Sequence, residues 1–375
     1  MSFVHLQVHS EYSLLDGASR IADLVKRAKG FEMPAMALTD HGVMYGSVGF
    51  FNKCKAAGIK AIIGCELYVA RGARTDRSSR NANATNLVAL CKTKEGYQNL
   101  VKLVSRGFSE GLHHKPRVDK ELLSQHFEGL IILSGTHEGE IGELLLAGRD
   151  AEAEEVARWY QERCDFYLEI CDHGEPRDRD LKPKLIAMGH RLGIPLVATN
   201  DSHFTAPEDR TAQEILRCIE TGKSFNDPSR PQEYTAQHYV KSSEEMRERF
   251  ADIPEACDNT LVIADKCEFT FVFGEYKIPH FPLLGEGQTA EQFLRLETEK
   301  GLKIRYPIVT PALTERLEIE LKTIEDMGFA AYFLIVWEYI RWAREQGIMV
   351  GPGRGSAAGS LIAYCLWITD LDPLP

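Results

Sequence analysis

The chain has no long hydrophobic run: nothing in it approaches the roughly 18 consecutive apolar residues of a bilayer span, which excludes a membrane-spanning helix. Its start lacks the basic-then-apolar pattern of a secretory signal. The nine cysteines are scattered and form no CxxC pair, so a small disulfide-framed domain is excluded and reduced thiols in a cytoplasm are expected. No GxSxG elbow follows any candidate strand, which argues against a Ser-His-Asp hydrolase. Internal repeats and low-complexity tracts are also missing.

What remains is the composition of a globular protein with a substantial core. The 375 residues are 44% apolar and 26% charged, enough for two ordinary domains or one large α/β barrel with an appendage. The formal net charge of −11 argues against simple coating of nucleic acid. That balance is uneven, because Arg71 to Arg117 holds ten Lys or Arg against the three acids Asp76, Glu95 and Glu110. A solvated basic face and a polyanion contact both remain open for this stretch.

Short apolar runs rich in β-formers alternate with helix-period stretches. Strands are expected at Val4–Val8, Ala35–Leu38, Ala61–Ile63, Leu87–Leu90, Leu130–Leu133, Phe166–Ile170 and Pro195–Ala198. Helices fall between most of them, which implies a mainly parallel sheet covered by helices. Seven such units suggest a closed or nearly closed barrel. Residues Gly72–Ala84, rich in Arg, Ser and Asn, read as an exposed loop. A domain boundary is expected near residue 280, at "YKIPHFPLLGEG", dividing the chain into 1–280 and 281–375. Helices follow at Ala290–Arg305, Thr310–Gly328 and Tyr332–Gln346. The chain stops at Pro375 just after a glycine-rich motif, so a longer parent is expected.

Ligand-type residues gather after the strands. "HLQVHSEYSLLDG" offers His5, His9, Glu11 and Asp16, with Gln7 where a third histidine would complete an alternating ladder. His41 follows the second strand in "TDHG", and Glu66 follows the third in "GCELYV". His173 follows the sixth in "CDHG"; Asp201 and His203 follow the seventh in "TNDSHF". In a parallel α/β barrel the carboxyl ends of all strands open on one face, so these segments aim imidazoles and carboxylates at one mouth. That mixture suits Zn, Mn or Fe, and Glu66 or Asp201 can bridge two ions.

A second signal is "GPGRGSAAGSLIAY". Gly351, Gly353 and Gly355 free the backbone to approach a phosphate, Arg354 adds a guanidinium, and Ser356 is expected to cap a helix beginning at Ala357. It is neither a Walker A loop nor a Rossmann fingerprint. Trp337, Tyr339 and Trp342 read mainly as core or interface aromatics.

These segments, together with "HLQVHSEYSLLDGASRIADLVKRA", "PAMALTDHGVMYGSVGFF", "LVATNDSHF" and "MGFAAYFLIVWEYIRWAREQGIMVGPGRGSAAGSLIAYCLWITDLDPL", resemble the bacterial replicative DNA polymerase III α-subunit family along essentially the whole chain. The resemblance implies an α/β fold. Residues 1–280 would be a distorted seven-unit βα (TIM-like) PHP (polymerase and histidinol phosphatase) barrel, and 281–375 the N-terminal part of the polymerase palm. It implies DNA-directed DNA synthesis by the parent protein, on DNA and deoxynucleoside triphosphates with Mg. The implied partners are a proofreading exonuclease subunit and the sliding clamp. The catalytic aspartates of that reaction would lie beyond this chain.

Carried over by position, the family's metal-ligand pattern finds ligand-competent residues at His9, Asp16, His41, Glu66, His173, Asp201 and His203. Gln7 and Asn86 stand where metal-binding members have histidine, and amides are poor Zn ligands beside imidazole. The resemblance groups Asp16, His41 and His203 as the surviving sub-site. It also likens Gly351, Gly353, Arg354, Gly355 and Ser356 to the segment that contacts a nucleotide's phosphates. Two readings of the barrel follow: a scaffold and docking surface with a partly retained metal site, or an active metal-dependent 3′–5′ exonuclease or phosphoesterase.

Overall fold

A computed structural model describes residues 2–78, 83–230, 232, 234–275, 277–282, 287–353 and 355–374. The chain divides into two compact units, Met1–Phe271 and Val272–Pro375.

The first unit is a curled sheet wrapped by helices. Helix α1 (Ile21–Gly30) shows the logic: Ile21, Leu24, Val25 and Ala28 make one buried stripe at helical spacing, with Asp23 in its first turn and Arg27 and Lys29 in its last. β1 (Ala35–Leu38) is buried at every position, as a strand covered on both faces must be. After α2 (Ser47–Ala57) comes the long β2 (Lys60–Ala70), whose first half pairs in parallel with β1, Ala35 opposite Lys60 and Leu38 opposite Ile63. β3 (Ala84–Cys91) then returns antiparallel to β2, and β6 (Leu130–Leu133) is antiparallel to β3. β7 (Asp165–Ile170) and β8 (Leu196–Ala198) continue the curl in parallel.

The N-terminal segment, expected as a strand, is extended and closes the curl at the mouth. It bonds β1 on one side (Ala37 N to the His5 carbonyl, 2.8 Å; Thr39 N to that of Val8, 2.9 Å). On the other side it forms a parallel bridge between Val8 and Ser202. The α/β barrel reading therefore holds, with one strand reversed. β4 (Leu112–His113) and β5 (Lys115–Val118) form a small hairpin on the far end of β2.

Helices α3 (Lys94–Ser109), α4 (Lys120–Ser124), α5 (Glu140–Leu146), α6 (Asp150–Gln161) and α7 (Pro176–Leu192) connect these strands. Then α8 (Arg210–Thr221), α9 (Ser243–Arg249) and α10 (Pro254–Lys266) follow β8. Inside the barrel, Val4, Leu6, Ala35, Ala37, Ile62, Val88, Leu90, Ile131, Leu133, Tyr167 and Val197 pack with Ile263 and Ala264 of α10. Alternation along a strand puts every second side chain inward. Inward positions thus run Tyr167, Glu169 on β7 and Val197, Thr199, Asp201 on and after β8: apolar at the base, polar at the mouth.

The second unit is helical. α11 (Ala290–Arg305), α12 (Pro311–Asp326) and α13 (Ala330–Glu345) bury Phe293, Leu294, Leu302, Leu317, Leu321, Leu334 and Trp337 around α14 (Leu361–Cys365). Gly301 lets α11 approach α14: a Cβ there would stand 1.9 Å from the Cys365 carbonyl oxygen.

Candidate metal centre

Backbone pairing brings the strand-end residues together. His41 and Glu66 form a parallel bridge that extends the β1–β2 pairing, with Gly42 N donating to the Glu66 carbonyl at 2.8 Å. His9 N donates to the Ser202 carbonyl at 2.8 Å, which sets His9 beside Asp201 and His203. Asp201 itself has φ +41°, a left-handed conformation that aspartate tolerates better than most residues.

The side chains then converge. His9 Nε2 is 3.3 Å from Glu66 Oε2 and 3.2 Å from Asp201 Oδ1. His41 Nε2 is 3.2 Å from His203 Nε2 and 3.6 Å from Asp16 Oδ2, and His41 Nδ1 is 3.3 Å from Glu66 Oε1. Two groups of potential ligand atoms lie within 4.8 Å of one another: those of His9, His41 and His203, and those of His9, Glu66 and Asp201. The expected trio of Asp16, His41 and His203 is therefore brought together, with His9 stacked between His41 and His203 at ring separations of 4.0 and 4.1 Å.

Proton accounting shows what the cluster lacks. The Ser13 hydroxyl donates its one hydrogen to Asp40 Oδ1 at 2.7 Å, so it accepts from His9 Nδ1 at 3.2 Å. His9 Nε2 then points at two carboxylate oxygens, and only a proton or a cation relieves that arrangement. Burial alone would pull the His9 pKa down. Asp201 and Glu66 more than offset it and raise it well above the usual imidazole range. Burial likewise opposes ionisation of Glu66 and Asp201, yet the surrounding histidines hold both below the ordinary carboxylate range. His203 donates Nδ1–H to the Asp201 carbonyl at 3.0 Å, leaving Nε2 as an acceptor 3.2 Å from His41 Nε2, and burial lowers its pKa to about 4. Among the buried atoms without a hydrogen-bond partner are His9 Nε2, His41 Nδ1 and Asp201 Oδ1. A donor set of three imidazoles and three carboxylates with these atoms unsatisfied fits a metal ion.

The structure does not bring His173 into this cluster. Its ring stacks on His238 at 3.7 Å and its Nε2 is bonded to the Asn200 carbonyl at 3.0 Å, so a backbone oxygen occupies one of its two ligand positions. His5 also lies apart, buried with Nε2 on the Lys241 carbonyl at 2.9 Å, and Glu11 is exposed.

Both amides are engaged internally. Gln7 donates Nε2–H to Glu66 Oε2 at 2.6 Å, and its Oε1 accepts from Thr199 Oγ1 at 3.3 Å. Asn86 donates to Glu138 Oε2 at 2.7 Å. Asn86 reaches the mouth because β3 runs antiparallel, which puts the start of that strand, not its end, at this face.

Sequence reasoning missed the groups that surround the cluster. Tyr234 donates to Asp16 Oδ1 at 2.6 Å and Arg217 Nη1 lies 3.2 Å from Asp16 Oδ2. Lys115, Arg177, Arg217 and His238 line the same cavity of about 130 Å³. They come from a hairpin, a helix start, α8 and a loop; Lys115 belongs to the basic run from Arg71 to Arg117, and no local spacing marks the others. Much of the basic run is accounted for by internal pairing. Arg74 binds Glu110 and Asp119, and Lys92 lies 3.4 Å from Asp165. Arg117, fully buried, donates to the carbonyls of Gly111, Arg74 and Asp76. Arg80 lies outside the described residues.

In the second unit, Gly351, Gly353, Gly355 and Ser356 are exposed, and Arg354 lies outside the described residues. Ser356 does not cap a helix. Gly355–Gly359 is a 3-10 turn, and Ser360 is the cap of α14, accepting from Ala363 N at 3.1 Å. The first N–H groups of α14 are met by an internal anion: Glu320 accepts from Leu361 N at 3.1 Å and Ile362 N at 3.3 Å. Trp337 is buried in the helical core, whereas Tyr339 and Trp342 are exposed on α13.

Comparison with known proteins adds two family matches. Residues 5–173 match the PHP domain, and residues 292–375 match the bacterial DNA polymerase III alpha NTPase domain. DNA polymerase III subunit alpha of Treponema pallidum is 48% identical over 384 residues, covering 100% of this chain and 32% of that protein. The Borreliella burgdorferi subunit is 43% identical, covering 99% of this chain and 33% of that protein. For the Escherichia coli K12 subunit the values are 42%, 99% and 32%. The chain thus spans about a third of the length of the curated relatives it matches.

Proposed function

Because the chain carries a PHP domain and is similar along its whole length to DNA polymerase III subunit alpha, we propose that it works as the N-terminal portion of the catalytic α subunit of a bacterial replicative DNA polymerase. The longer protein would act on DNA and deoxynucleoside triphosphates with Mg, in the cytoplasm, alongside a proofreading exonuclease subunit and the sliding clamp. In this reading residues 1–280 are the PHP domain and 281–375 the start of the palm. The exposed Gly351, Gly353, Gly355 and Ser356, with Arg354, are the segment offered to a nucleotide's phosphates.

Within the barrel the reading is a metal centre held by His9, Asp16, His41, Glu66, Asp201 and His203. One observation carries it: the buried, unpartnered His9 Nε2 and Asp201 Oδ1 lie 3.2 Å apart, and the equally unpartnered His41 Nδ1 lies 3.3 Å from Glu66 Oε1, the carboxylate that His9 also faces. Zn, Mn and Fe are the ions this donor set suits. Such an ion supplies Lewis acidity and a bound water of lowered pKa. Gln7 and Asn86 support a barrel that serves chiefly as scaffold and docking surface, since each amide is committed to a carboxylate instead of to an ion.

The second reading, an active 3′–5′ exonuclease or phosphoesterase, is favoured by the cations around the same cavity. Incubating the chain with single-stranded DNA and Mn or Zn separates the two. The scaffold reading expects no hydrolysis; hydrolysis abolished by His9→Ala would establish the hydrolase.

A further inference from the structure

Asp201 supplies a buried, unpartnered Oδ1 to the cluster from a backbone at φ +41°. A residue with a side chain keeps that left-handed conformation only where its surroundings fix it. The two peptide planes on either side of a residue set its φ and ψ. The plane after Asp201 is held by Ser202 N, which donates to the Gln7 carbonyl at 3.2 Å. The Asp201 carbonyl in that plane also accepts from His203 Nδ1 at 3.0 Å. The plane before Asp201 carries the Asn200 carbonyl, and His173 Nε2 lies 3.0 Å from its oxygen. A carbonyl oxygen only accepts, so His173 carries a proton on Nε2 and donates it there.

The Asn200 side chain is held as well. Its Nδ2 donates to the carbonyls of Gln237 and Tyr239, both at 2.8 Å, and its Oδ1 accepts from Lys241 Nζ at 3.0 Å. Asn200 and Lys241 are both buried, so water does not compete for these bonds. His173 is fixed in its turn: its backbone N donates to Asp178 Oδ2 at 2.8 Å, and its ring lies on that of His238 with centroids 3.7 Å apart. Pairing of β7 with β8 ends at Ile170 and Ala198, with Thr199 N donating to the Ile170 carbonyl at 3.0 Å. Just past that end, the His173 ring does for Asn200 what a backbone N–H does along the strands.

We propose that His173 is a positioning residue of the metal centre: through the Asn200 carbonyl it fixes the peptide plane before Asp201 and so aims the Asp201 carboxylate at His9. The proposal rests on the metal-centre reading above. It gives His173 a part in that centre from outside the ligand set.

The test is calorimetric titration of Mn into the chelator-stripped chain. His173→Phe keeps a ring against His238 but has no proton to donate. It should bind Mn about tenfold more weakly, with the wild-type stoichiometry at saturation. His173→Gln restores an N–H at a similar reach and should recover the affinity to within about twofold. Wild-type affinity in His173→Phe, or equal losses in the two variants, overturns the proposal and leaves the metal centre intact. An ion missing from saturated His173→Phe makes His173 a ligand and overturns it too. Wild type that takes up no Mn overturns both. Should His173→Phe not fold, wild type decides the matter: 15N NMR of the histidine-labelled, Zn-saturated chain should find the His173 proton on Nε2, and a ring without it overturns the proposal.

Discussion

Gln7 Nε2 lies 2.6 Å from Glu66 Oε2, the same oxygen that faces His9 Nε2 at 3.3 Å. The amide therefore places a hydrogen-bond donor on the side of Glu66 where a ligand imidazole would present a lone pair. Gln7→His replaces that donor with an imidazole and frees Glu66 Oε2. The expected outcome is more metal per chain than in wild type under identical loading, read by elemental analysis; an unchanged ratio would mean the amide does not limit occupancy.

Glu169 gives the barrel a pH signature. It is fully buried on β7, bonded to Thr199 Oγ1 at 2.6 Å with its other oxygen unpartnered, and burial pushes its pKa up to about 8 from the ordinary 4.5. The folded chain thus holds this proton more tightly than the unfolded one. The linked stability is fully present below about 4.5 and is lost as pH rises through about 8, with a slope of roughly 1.4 kcal/mol per pH unit in that window. Glu169→Gln has no such proton. In chelator, its melting temperature relative to wild type should climb between pH 5 and pH 8, whereas a constant difference would show that Glu169 is ionised in the fold.

The two serines of the glycine-rich segment should separate cleanly. Ser360 caps α14 and also donates to Glu320 Oε2 at 2.9 Å, so Ser360→Ala should cost about 1 kcal/mol in denaturant unfolding. Ser356 is exposed in the 3-10 turn and caps no α-helix. Ser356→Ala should leave stability within about 0.5 kcal/mol of wild type. Equal losses at both positions would contradict the capping assignment.

The barrel was legible because its strands and helices carry strong, separate periodicities, and because His9, His41, Glu66, Asp201 and His203 sit just past apolar runs or on them. Strand direction was not. Leu87–Leu90 reads alike in either direction, and only the pairing of β3 with β2 and β6 reveals that it is antiparallel. That reversal is why Asn86, at the start of a strand, belongs to the mouth. His173 lies apart for a related reason: "CDHG" has the look of "TDHG", but the carbonyl that engages its Nε2 belongs to Asn200, a contact no local pattern encodes. Tyr234 and Arg217 reach Asp16 from more than 200 residues along the chain, where neither periodicity nor motif points to them. At Ser356 a cap-like residue before an alanine pair lost to Ser360, four residues on, whose helix start is backed by Glu320.

On the proposed reading, the His9, His41 and His203 cluster holds a metal ion. Elemental analysis of the chain purified without chelator, beside His41→Ala prepared identically, tests it most directly. Zn, Mn or Fe retained by wild type and lost from His41→Ala is the predicted result. Wild type free of metal, or a variant that keeps as much as wild type, would contradict it.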